Sequence, residues 1–239
     1  MNFTIKLSFF SIILLVSSNL FAQYDFVCNN SFTYPNRMSF GEWKNALSLT
    51  LAKLPKDAIE EASITVYAPL LTYKTKIGLG RGFASTGNFN TNGITFHVYA
   101  GVDWSYHFNR ITLGVGGGPA YFAGKLNAFG FDSKVKGLLG HNHFLLGIAF
   151  DNFTLTLKAE QTTNFLITQF SDNLDVTEEQ NIIAGFGFSI TIEQPLWKDN
   201  FMSLEIKANY MKFYYPVWAV FPTWERYNLF PEVIIGFSI

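Results

Sequence analysis

The chain has 239 residues, 49% hydrophobic and 18% aromatic, with 15% charged residues and a formal net charge of −1. That charged fraction falls well short of the roughly 25% usual for soluble domains, and a near-zero balance without a Lys/Arg block leaves no electrostatic footprint for nucleic acid. Cys28 is the only cysteine, which excludes an internal disulfide and a cysteine-based metal cluster.

From the amino terminus, Lys6 precedes an apolar run from Leu7 to Val16, followed by Ser17, Ser18, Asn19 and Phe21-Ala22-Gln23. This pattern predicts a secretory signal over residues 1–22, cut after Ala22, with Leu20 larger than the small residue usual three positions before a cut. The run is shorter than the ~20 residues a spanning helix needs, so an uncleaved anchor is the lesser reading. Asp25-Phe26-Val27 lacks the small residues that precede an acylated cysteine, so Cys28 reads as a free thiol and not a lipid anchor.

Residues 23–62 read as a periplasmic segment. Ser39 followed by Glu42 has capping-box spacing, Met38 and Trp43 stand at staple positions, and Trp43, Leu47, Leu51 and Leu54 recur at helical spacing before Pro55. The expectation is a short amphipathic helix at the inner membrane interface, its Trp and Leu face in the headgroup boundary and Lys44 and Lys53 wet. Leu47-Ser48-Leu49-Thr50-Leu51 also alternates, so a further strand is the alternative.

Over residues 63–239, large apolar side chains fall on every second position. Alternating segments are predicted at about Ile64–Thr75, Ile94–Ser105, Ile111–Phe122, Leu138–Phe150, Phe153–Asn164, Asn181–Glu193, Phe201–Phe213 and Asn228–Ile239. Each is near the ~9–11 residues a tilted strand needs to cross hydrocarbon. Short connections at 106–110, 151–152 and 194–200 alternate with long ones at 76–93, 123–137, 165–180 and 214–227. That asymmetry predicts an all-β fold: an eight-stranded antiparallel transmembrane β-barrel preceded by a short amphipathic helix, both termini periplasmic and the long loops extracellular. A soluble barrel or β-sandwich is the alternative, opposed by greasy outward stripes such as Phe186, Phe188, Ile190 and Ile192.

The same parity turns the polar residues inward: His97, Asp103, His143, Lys158, Glu160, Glu193, Glu205, Lys207 and Glu232. Eight strands leave an interior that side chains fill, so the lumen is expected to be plugged by a paired charge network. A two-residue turn at Asp151-Asn152 would set Leu145 opposite Lys158, His143 opposite Glu160 and His141 opposite Thr162. A carboxylate facing an imidazole with a hydroxyl in reach makes His143, Glu160 and Thr162 the catalytic candidates, although the network needs no chemistry to explain it. No metal site and no cofactor is expected. The aromatic run Tyr214 to Trp224 reads as an interfacial girdle folded against lipid, with a binding surface as the alternative.

The alternation, the short inner turns and the ending Gly236-Phe237-Ser238-Ile239 resemble the small eight-stranded outer-membrane barrels of Gram-negative bacteria, of the OmpA-like and OmpX-like kind. Those barrels commonly end on Phe, whereas here Phe237 stands one pleat earlier. The Phe-Ala-Gln cleavage region looks like signals common in Bacteroidetes. Glu42-Trp43 and Tyr67-Ala68-Pro69-Leu70-Leu71-Thr72-Tyr73 resemble the helix and opening strand of the lipid A palmitoyltransferase family, over about a fifth of the chain. Lys74 stands where that family has its catalytic histidine, so the activity is not carried over. These likenesses imply an outer-membrane structural or interaction and adhesion-type protein, with a lipid A-modifying acyltransferase or deacylase as the alternative. The partners so implied are outer-membrane lipids, lipopolysaccharide, and the barrel-assembly machinery acting on the C-terminal strand.

Overall fold

The computed structural model describes residues 27–55, 66–128, 131–171, 174–175, 177, 182–197, 200–219 and 226–238; the expected signal and its cleavage point lie outside them. Eleven strands form: β1 (Trp43–Lys53), β2 (Tyr67–Gly80), β3 (Phe83–Thr91), β4 (Thr95–Phe108), β5 (Ile111–Ala128), β6 (Phe131–Ala149), β7 (Thr154–Ser171), β8 (Leu174–Asp175), β9 (Ile183–Trp197), β10 (Asn200–Met211) and β11 (Asn228–Ser238). Ten of them close a ring of antiparallel pairs in chain order, β7 pairing with β9 and β11 with β1, while the two-residue β8 is an extra strand on the end of β7.

The barrel therefore has ten strands plus one, not eight, and the expected helix before it is strand β1. Leu47, Leu49 and Leu51 face outward, Ala46, Ser48, Thr50 and Ala52 inward, and the strand pairs with both β2 and β11. The capping-box chemistry survives without a helix. The Ser39 N–H donates to Glu42 Oε2 at 2.8 Å and the Glu42 N–H to the Ser39 carbonyl at 3.1 Å, around a turn in which Gly41 has φ +79°. The second addition, β3, lies inside the expected loop 76–93. Arg81 and Gly82, both at positive φ, make the tight turn that pairs it with β2.

Two added strands leave the count even, so the two ends of the sheet meet at one rim. There, β2–β3, β4–β5, β6–β7 and β9–β10 are joined by turns of two to four residues. The opposite rim carries the longer connections 54–66, 172–182 and 212–227, but the expected long loop 123–137 is there only the two residues 129–130, because β5 and β6 run on past their expected ends. One ladder lapses: β4 and β5 pair up to Tyr99–Ala120 and again from Val102–Gly117, with Pro119, which has no N–H to donate, between them.

Large apolar residues dominate the exterior of the barrel strands, β3 being the mixed one with Phe83 and Phe89 among smaller residues. Outward Trp104, Tyr106 and Trp197 mark one rim and Phe96, Tyr121 and Tyr210 the other. The ten residues from Phe96 to Tyr106, at about 3.3 Å each and tilted about 40°, set these girdles about 25 Å apart. Among the described residues no Asp, Glu, Lys or Arg points outward between them.

Candidate functional site: the lumen and its two closures

A ten-stranded ring is wider than one that side chains alone can fill. In this chain two of its own segments occupy the extra space.

At the rim of short turns, the segment preceding β1 folds into the barrel. Residues 27–30 make one helical turn, and Val27, Ser31, Tyr34 and Met38 are buried. Glu193, inward on β9 and 1% exposed, accepts the N–H groups of Phe32 (3.0 Å), Thr33 (2.9 and 3.0 Å) and Tyr34 (2.9 Å) on its two carboxylate oxygens. Charge-assisted bonds of this kind are about twice as strong as neutral ones. The Tyr34 hydroxyl shares a 2.7 Å bond with Thr112 on β5, and Lys76 on β2 donates to the Phe32 carbonyl at 3.2 Å. Small inward residues make the room: a Cβ on Gly147 would lie 2.6 Å from the Tyr34 ring, and one on Gly114 2.9 Å from Pro35. We therefore expect Gly147→Val to cost about 1–3 kcal/mol by overpacking and to push the segment outward, read as faster maleimide labelling of Cys28, which is buried in the parent.

At the other rim the aromatic run after β10 also turns inward. Phe213, Tyr214, Val217 and Trp218 are buried, Trp218 to 1% exposure, so this part of the run fills the lumen and is not a girdle against lipid. A 3-10 turn at Tyr215–Val217 carries it. The Trp218 indole N–H donates to Thr95 Oγ1 at 2.8 Å, the Asn92 amide to the Pro216 carbonyl at 2.7 Å, and Tyr215 stacks on His97 with centroids 4.4 Å apart. The Tyr214 hydroxyl donates to Glu232. Burial, with the Glu232 carboxylate beside it, pushes the Tyr214 phenol well above its ordinary range and the Tyr215 phenol up as well, so both stay protonated, Tyr214 donating to Glu232 and Tyr215 accepting from the Asn90 amide.

Between the closures lies a chamber of about 160 Å³, adjoined by a second of about 120 Å³; Lys74, Asn88, Tyr99, His143 and Lys158 line both. Besides Glu193, the polar residues expected in the lumen, His97, Asp103, His143, Lys158, Glu160, Glu205, Lys207 and Glu232, all occupy inward positions. Their partners divide them into groups. Glu160 takes Lys158 beside it and Lys207, which reaches over Gly187 of the intervening β9, at 3.3 Å. Asp103 takes His143 at 3.1 Å and Lys76 at 4.0 Å. Glu232 takes Asn209 and Tyr214, and His97 meets His141 at 3.3 Å between their Nε2 atoms.

The catalytic candidates are brought close but not into a working order. The register sets His143 opposite Glu160 and His141 opposite Thr162, yet His143 turns to Asp103. His141 takes the place between the other two: Thr162 Oγ1 is 3.2 Å and Glu160 Oε1 4.0 Å from the same nitrogen, Nδ1. A general base needs its hydroxyl on one ring nitrogen and its orienting carboxylate on the other. Here both crowd one, and the other faces a second imidazole. Sequence reasoning named Lys74 only for the histidine it replaces and His141 only for its register with Thr162, and it passed over Lys76 and Asn90. The inward parity of these two was readable, but Lys76 reaches Phe32 and Asp103 and Asn90 reaches Tyr215, contacts that run to the closing segments or skip a strand, for which strand pairing holds no signal.

No protein-family model and no curated protein matches the chain. Three of the solved structures similar to it are outer-membrane and surface proteins. An outer membrane channel from Pseudomonas putida F1 shares 7% identity at a TM-score of 0.46, covering 84% of this chain and 96% of that one. Neisserial surface protein A shares 13% at 0.35, covering 82% and 96%. Outer membrane phospholipase A from Escherichia coli shares 10% at 0.35, covering 93% and 98%. At these identities and scores none of them bears on what the chain binds or does.

Proposed function

We propose that the protein is an integral outer-membrane barrel whose polar lumen is closed at both rims by its own chain, and which acts as a structural or interaction-type membrane protein. The observation that carries this reading is the exterior: a belt without charge among the described residues, dominated by large apolar side chains and bounded by aromatic residues. Water would not wet so large a continuous patch, and a bilayer asks for it. The closed ring meets the companion demand that no backbone group face hydrocarbon unpaired. Both termini then lie on the periplasmic side with the short turns, and the connections 54–66, 172–182 and 212–227 face outward from the cell. Lipids of the outer membrane, lipopolysaccharide included, are the surroundings of the belt, and β11 presents Val233, Ile235 and Phe237 to them.

The purified, signal-free protein should require detergent to stay monodisperse, should migrate faster on a gel before boiling than after it, and should carry no ion current across planar bilayers. Monodispersity in plain buffer would end the membrane reading, and steady single-channel currents would end the closed one.

A further inference from the structure

Sorting the lumen charges by partner leaves two behind. Lys158 and Lys207 are committed to Glu160, Lys76 and His143 to Asp103, and Glu232 to Tyr214 and Asn209. Lys74 on β2 and Glu205 on β10 both line the 160 Å³ chamber, and among the described residues neither has a hydrogen bond or an ion pair within 4 Å. Glu205 is 8% exposed; the Lys207 charge two residues along the same face acts on it at a distance, but no described side chain meets its carboxylate directly. A buried charge without a direct partner is costly for a fold to hold. Here the two are of opposite sign and border one cavity.

We propose that the chamber binds a small zwitterionic solute, an ammonium carboxylate held with its carboxylate on Lys74 and its ammonium on Glu205. The amide of Asn88, the cross-strand partner of Lys74, stands beside the carboxylate end, and Tyr214 and Tyr215 form the chamber wall toward the outer rim. With about 30 Å³ per molecule of liquid water, the space takes on the order of five waters or a solute of that bulk. Neutral sugars leave both charges unanswered, and a simple anion answers one. This inference goes beyond the reading of the protein as a closed membrane barrel and does not depend on which membrane holds it.

The test is isothermal titration of the folded full chain in detergent, after long equilibration, with the straight-chain series from glycine to aminohexanoate and with hexanoate and hexylamine as single-charge controls. One chain length should bind at least about tenfold more tightly than either control, as expected when one charge-assisted hydrogen bond is lost. Lys74→Met should remove that preference over hexylamine, and Glu205→Gln the preference over hexanoate. Should either variant fail to fold, Lys74→Arg and Glu205→Asp keep the charges but move them, and should shift the favoured chain length. Hexanoate binding as tightly as every zwitterion overturns the proposal. So does the absence of heat from any compound when gel migration shows the barrel intact, a result that leaves the membrane reading standing.

Discussion

Ile190→Lys should cost about 2–4 kcal/mol of folding stability in lipid vesicles, the penalty for a lysine on the lipid face near the bilayer midplane. Ile190 sits at the middle of β9, in register with Leu157 on β7 and Ile206 on β10, and is 53% exposed. On a wetted surface the same change would fall within about 0.5 kcal/mol of the parent. Urea titration of the variant and parent, refolded into the same vesicles, separates the two environments by magnitude alone. A variant as stable as the parent would mean that the belt of Phe, Ile and Leu is not in hydrocarbon, and the orientation proposed for both rims would fall with it.

The second large effect is expected at Glu193. Glu193→Ala strands the N–H groups of Phe32, Thr33 and Tyr34 in the lumen, at about 1–3 kcal/mol for each donor left without a partner. The segment before β1 has an alternative, which is to leave the barrel and take its hydrogen bonds from water. We therefore expect the loss to appear as release of that segment: Cys28, 5% exposed in the parent, becomes reactive to maleimide while the barrel still migrates as folded. Glu193→Gln keeps one acceptor oxygen and should lie between the two. Because Cys28 is the only cysteine, labelling reports this segment and no other. Unchanged labelling in Glu193→Ala would show that the carboxylate does not hold the segment in place.

The strands legible in the sequence were those with several large outward residues in alternation, such as Phe186, Phe188, Ile190 and Ile192 on β9. β1 was misread because a spacing of four satisfies two periods at once: Trp43, Leu47 and Leu51 share a helical face, and being separated by an even number they share a strand face as well. Leu49 decides between the two, since it falls off the helical stripe but is outward and half exposed in the strand. Leu54 fits only the helix by spacing, and it is instead buried on the inward side. β3 was missed for the opposite reason. Its outward positions are Phe83, Ser85, Gly87, Phe89 and Thr91, too few of them apolar to show alternation.

In the lumen, parity and one short turn were enough to place residues but not to join them. The Asp151-Asn152 turn, with Phe150 donating its N–H to the Phe153 carbonyl at 2.9 Å, carries the β6–β7 register as far as His143 and Glu160. Cross-strand position did not settle which imidazole Glu160 meets. Lys158 stands beside Glu160 on β7, Lys207 reaches it over Gly187 of β9, and Asp103 reaches His143 over Gly116 of β5, so the last two contacts skip a strand where a glycine clears the way. The closing segments were harder still, because their fit depends on hollows left by Gly78, Gly114 and Gly147, which in a list of residues look like weak points in strands.

The anchoring of Phe32, Thr33 and Tyr34 by Glu193 spans about 160 positions of the chain. Contacts so distant in order form late, after nearer ones have shortened the path between them. The seam between β1 and β11 is more distant still, and it begins at Ala46, a short stretch of chain beyond the anchored Tyr34. The cylinder must then wrap around its own beginning and zip shut behind it. A cork threaded into a finished bottle would have to carry Tyr34 and Val27 through a mouth already sealed by hydrogen bonds, whereas one laid down first is simply enclosed.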